Sequence, residues 1–104
     1  MKISIKKKII SNFSNPYVVA EMSGNHNQSI KQAFKLIKEA HKSGADAIKI
    51  QTYSAESMVL NIAKAEFVIK DKKSPWYGNT LYDLYKKAST PKSWIEKIIK
   101  YSNQ

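Results

Sequence analysis

Cysteine is absent from the 104 residues, which excludes disulfides and thiolate metal sites and fits a reducing compartment. Arginine is absent too: all 18 basic residues are lysine. Arginine makes the commonest base-specific contact and stacks on bases, so a chain without it is poorly equipped to read nucleic acid. No stretch approaches the roughly 20 apolar residues of a bilayer span. The lysine-rich start, "MKISIKKKII", lacks the apolar core of a signal peptide. These absences predict a cytoplasmic protein with neither nucleic acid nor membrane among its partners.

The composition is otherwise that of one small globular domain, 42% hydrophobic and 25% charged,. The net charge of +10 comes from lysines in small scattered clusters at 6–8, 70–73 and 86–87. They read as a solvated surface. The competing reading is a non-catalytic basic α/β domain that holds polyanions through those lysines.

Along the chain, residues 2–13 alternate apolar and polar and predict a small strand pair before Pro16,. "YVVAEM" at 17–22 is a short β-branched run and predicts a strand, and "SGNHNQ" after it a loop,. Ser29 with Gln32 fits a capping box. Ile30, Ala33, Phe34, Ile37 and Ala40 then fall on one helical face, and Gly44 stands where a left-handed cap belongs,. "DAIKIQTY" at 46–53 is the next strand, which completes a βαβ unit with parallel strands and a right-handed crossover,. Residues 54–79 are less regular. Short helices follow, over "TLYDLYKKA" and from Pro91 onward, with no internal repeat,.

Parallel strands clad by helices are normally apolar throughout. Here alternation sets Glu21 beside Val19 on one face, and Lys49 and Gln51 on one face of the next strand,. The C-terminal ends of parallel strands are where α/β folds bind ligands. Glu21 with Lys49 is also readable as a structural ion pair, and Gln51 as an ordinary strand-end residue. Three such groups ahead of an amide- and imidazole-rich loop favour a site. In that loop Asn25 and Asn27 fit turn formers as well as ligand contacts, and His26 fits either a backbone-bonded or a binding histidine.

The stretch "AEMSGNHNQSIKQAFKLIKEAHKSGADAIKIQTYSAESM" resembles the start of the sialic-acid (N-acetylneuraminate) synthase family. These enzymes join phosphoenolpyruvate (PEP) to an amino-sugar aldehyde. The resemblance runs from about residue 16 to residue 104. "SGNHN", "IKIQTY" and "WYGNTLYDLYKKASTPKSW" are most similar to the branch whose sugar is 2,4-diacetamido-2,4,6-trideoxy-L-altrose. The N-acetylneuraminate and legionaminic acid branches are the alternatives.

The resemblance implies an α/β fold, the N-terminal portion of a (β/α)8 TIM barrel that carries a C-terminal antifreeze-like domain. A barrel takes about 250 residues. Residues 1–104 are therefore expected to be one partial synthase domain, about the first two βα units plus an N-terminal strand pair, inactive alone. By the same resemblance, Glu21 is catalytic at the reacting centre. Lys49 holds PEP, Gln51 contacts the sugar, and Asn25 and His26 line the adjoining loop. Asn79 approaches the sugar or simply makes a turn. A divalent metal, Mn2+ or Mg2+, is implied with its ligands outside this chain, as is a homodimeric parent enzyme.

Overall fold

A computed structural model describes all residues from Met1 to Gln104. Strands β1 (Ile3–Ile5) and β2 (Lys8–Ile10) form the expected antiparallel hairpin around a two-residue turn in which Lys6 takes a φ of 53°. The βαβ unit follows: β3 (Val19–Glu21), α1 (Ile30–Lys42) and β4 (Ala47–Lys49). β3 and β4 pair in parallel, with Val19 opposite Ala47, Ala20 opposite Ile48 and Glu21 opposite Lys49.

Helix α1 starts and stops where its sequence dictates. The Ser29 hydroxyl accepts from the Gln32 N–H at 3.3 Å. The reciprocal half of a capping box is missing, because the Ser29 N–H already donates to the His26 carbonyl at 2.9 Å,. At the other end Gly44, with a φ of 83°, closes a Schellman motif: its N–H donates to the His41 carbonyl and the Ala45 N–H to that of Ala40,.

Both strands are shorter than the apolar runs predict, three residues each. Beyond Lys49 the chain leaves the ladder because its next backbone partner is distant. The Thr90 N–H donates to the Gln51 carbonyl at 2.6 Å. The irregular region then yields α2 (Ala55–Met58), a 3-10 turn over Ala65–Phe67, α3 (Leu81–Ala88), and a 3-10 turn over Lys92–Trp94 that runs into α4 (Ile95–Ser102). Residues 68–80 form a loop pinched at its base by a bridge between Val68 and Thr80. Helix α2 rests on α3, where the Tyr82 hydroxyl donates to Glu56 and Tyr53 meets Tyr85 edge to face.

The core lies on one side of the β3–β4 pair. Met22, Ala33, Ile37 and Ile98 are buried there, flanked by Phe34, Leu36, Ile48, Ile50, Trp94 and Tyr101. Helices α1 and α4 thus clad the face that carries Ile48. On the opposite face Val19 is 48% exposed. The molecule is a small α/β protein with two separate strand pairs. The 104 residues close no barrel, and no helix is long and apolar enough to cross a membrane.

Candidate functional site

Glu21 is the last residue of β3 and Lys49 the last of β4. Parallel register makes them ladder partners, so their side chains leave the same face, the one no helix covers,. The Lys49 ammonium lies 2.5 Å from Glu21 Oε1, and each side chain is 54% exposed. An ion pair this open contributes only about 0–1 kcal/mol to stability. It does little to hold the strands, which leaves the ammonium free to turn toward an incoming anion and the carboxylate free to accept or relay a proton.

Gln51 follows two residues after Lys49, half-buried, with its carbonyl tied to Thr90 and its side-chain amide in no hydrogen bond within the chain. The Thr90 hydroxyl is buried and equally unpartnered.

The loop from Met22 to Ser29 is three overlapping turns, in which the N–H groups of Asn25, Asn27 and Ser29 donate to the carbonyls of Met22, Gly24 and His26. Ser23, Asn27 and Gln28 have φ values of 50°, 47° and 56°. Left-handed non-glycine residues cost on the order of 1–3 kcal/mol each and persist only where the surroundings over-determine them. Here the restraint comes from helix α3. A Cβ on Gly24 would stand 3.0 Å from both Cα and Cβ of Ala88, so any larger residue there would push the end of α3 back by a few tenths of an ångström. The Gln28 amide donates to the Lys87 carbonyl at 2.6 Å and to that of Ser89 at 3.3 Å.

The loop therefore presents Asn25 and Asn27 to solvent and turns His26 inward, where it is fully buried. The ring packs edge-on against Trp94, with centroids 5.4 Å apart. Burial holds its pKa below the ordinary imidazole value, and the Ala88 carbonyl works in the other direction. Asn79 is occupied in its own turn: its amide donates to the Trp76 carbonyl at 3.1 Å and its carbonyl accepts from Ile69. No hydrogen bond or ion pair joins Asn79 to Glu21 or Lys49.

Of the six residues singled out in the sequence, the structure thus joins Glu21 and Lys49 directly, with Asn25 and His26 on the loop that follows. Sequence reading passed over Gly24, Gln28, Trp94 and Thr90. Their partners lie far along the chain, 59 residues for Gln28 and Lys87, and no local pattern announces such contacts.

The divalent metal implied by resemblance does not fit the residues present. No three His, Asp or Glu side chains converge on one point, His26 Nδ1 is already taken, and His41 sits in the last turn of α1. A cavity of about 420 Å³ lies on the helical side, lined among others by Ile37, His41, Ile48 and Ile98, and away from Glu21 and Lys49. The pair itself stands on an open surface, whereas sites for small ligands enclose most of their occupant.

The model of the NeuB family matches residues 36–104. The pseudaminic acid synthase of Campylobacter jejuni is 46% identical over 92 residues, 86% of this chain and 26% of that protein. The pseudaminic acid synthase of Helicobacter pylori is 38% identical over 89 residues, with the same coverage. The N,N'-diacetyllegionaminic acid synthase of Legionella pneumophila is 35% identical over 71 residues, 67% of this chain and 19% of that protein. The chain spans about a quarter of the length of the first two relatives.

Proposed function

This chain belongs to the NeuB family, and from that premise we propose that residues 1–104 supply the opening segment of a pseudaminic acid synthase, a PEP-dependent transferase. The rest of a (β/α)8 barrel completes the site. In the overall reaction C3 of PEP forms a bond to the aldehyde carbon of 2,4-diacetamido-2,4,6-trideoxy-L-altrose, water adds at C2, and the C–O bond to phosphate is cleaved to release phosphate. The single observation that carries this reading is the Glu21–Lys49 pair, held side by side at the C-terminal ends of adjacent parallel strands.

The residue roles are those that the family resemblance implies, and the chemistry of each group suits its role. PEP is a small polyanion, and the fixed charge of Lys49 neutralises its carboxylate or phosphate. As the ammonium turns to the anion, Glu21 loses its partner and becomes the proton acceptor beside the reacting carbons. Gln51, with an uncommitted amide two residues on, hydrogen-bonds the sugar, as does Asn25 from the loop. His26, in the same loop, turns its ring inward, where it is fully buried. A divalent metal, as Lewis acid for the aldehyde, would depend on ligands contributed from outside these residues.

A chimera provides the test. The part of this chain that matches the Campylobacter jejuni enzyme replaces its counterpart there, and phosphate release from PEP is followed with the altrose derivative. Turnover that needs both substrates is expected. A chimera that melts cooperatively yet releases no phosphate overturns the reading. Offering N-acetylmannosamine or the legionaminic acid precursor instead decides the branch, which the 35% identity to the Legionella pneumophila enzyme makes a real comparison.

A further inference from the structure

His26 is the sole fully buried titratable side chain, and no step above uses its ring. Its Nδ1 accepts a hydrogen bond from the Gln28 N–H at 3.1 Å. A ring nitrogen that accepts carries no proton, so the neutral imidazole holds its hydrogen on Nε2. Nε2 has no hydrogen-bond partner, although the Ala88 carbonyl stands near the ring. Trp94 closes the pocket at an interplanar angle of 76°. The ring thus occupies the centre of a loop that contains three left-handed non-glycine residues and begins at Glu21.

We propose that His26 is a positioning residue: as a neutral Nε2–H imidazole lodged between the Gln28 amide and the Trp94 ring, it fixes the strained loop after β3 and thereby the stance of Glu21 and Asn25 on the open face. As a statement about catalysis this rests on the role given to Glu21 above. As a statement about the ring and the loop it stands independently.

The test uses the isotope-labelled 104-residue chain. A long-range 1H–15N spectrum at neutral pH should show His26 with its proton on Nε2 and a bare Nδ1. A proton on Nδ1, or a doubly protonated ring, overturns the proposal. This arm needs no substitution and so is decided even where a variant unfolds.

The second arm is amide exchange at Gln28, which His26→Ala should speed about tenfold, the effect of losing one part-buried hydrogen bond,. His26→Asn, whose Oδ1 takes the place of Nδ1, should restore protection. His26→Gln, whose amide reaches only the Nε2 position, should not. Unchanged protection in the alanine variant, or rescue by Gln in place of Asn, sinks the idea. The 13C resonance of the Glu21 carboxyl should move in His26→Ala and return in His26→Asn; a resonance that stays put means that the ring does not position Glu21. An inactive chimera alongside a confirmed tautomer strikes the proposed function and leaves the loop assignment standing.

Discussion

Glu21 and Lys49, 28 residues apart in the chain, are the last rung of a parallel ladder, with the ammonium 2.5 Å from the carboxylate. Neither strand extends past them as a ladder. The pair therefore marks the edge at which regular backbone gives way to loops on both strands at once, the place where an α/β fold exposes side chains to a ligand without breaking its sheet.

In the chimera, Lys49→Ala should abolish PEP-dependent phosphate release, while Lys49→Arg retains part of it as a cation of different reach. Glu21→Gln, which keeps size and hydrogen bonding but removes the proton acceptor, should lower kcat by on the order of 10²-fold or more with a smaller change in KM for PEP. Steady-state phosphate assays check both.

Gly24→Ala places a methyl group 3.0 Å from the Ala88 backbone, which cannot yield as a flexible side chain would. A loss of about 1–3 kcal/mol is expected from such overpacking. Gly24→Ala combined with Ala88→Gly should recover only part of it, since the Ala88 Cα is as close as its Cβ. Thermal melts of the four species measure the coupling.

The N-terminal hairpin is moored through Lys8, whose ammonium lies 2.6 Å from both carboxylate oxygens of Asp46. The Val18 N–H donates to the same carboxylate at 2.7 Å. The Lys8 hydrogen bond, followed by that of Val18, holds the Asp46 pKa below its ordinary value. A depressed carboxylate stabilises fully above its unfolded pKa of about 4, and that contribution is lost as pH falls through the lower folded value. The β1–β2 resonances should therefore broaden on acidification below about pH 4, and Asp46→Asn should show the same release at neutral pH.

His26 responds to acid over a higher range. Desolvation lowers its pKa in the folded chain, against the weaker opposing effect of the Ala88 carbonyl. The stabilisation is complete above the unfolded pKa of about 6.5. It falls as pH drops below that value, because the unfolded chain then takes up a proton that the buried ring refuses. Melting temperature should decline between pH 7 and pH 5 in the parent chain and decline less in His26→Asn.

Much of this was legible in the sequence where the controlling contacts are local. The Ser29 half of the capping box, the apolar stripe of α1 and the Gly44 stop are separated by a few residues and appear as read, whereas the reciprocal Gln32 half does not. So do the parallel βαβ unit and the shared face of Glu21 and Lys49, since a period of two and a single helical crossover dictate both. What escaped depends on distant chain. The strands shorten because Thr90, not β3, satisfies Gln51. Asn79 was readable as a sugar contact or as a turn residue, and its side-chain amide donates to the Trp76 carbonyl within its own turn. The inward turn of His26 requires Trp94 and the end of α3, which no pattern within residues 20–30 could reveal.

The outer edges of the two-stranded β3–β4 ribbon also have a directional consequence. Each strand offers an outer row of backbone donors and acceptors to whatever polypeptide lies alongside, and the rung at Glu21 and Lys49 supplies the datum from which that newcomer takes its register. A third strand docked in parallel on β4 would deliver its own terminal side chains level with the ammonium. The end of the β3–β4 ribbon thereby sets the level at which a neighbouring parallel strand would end.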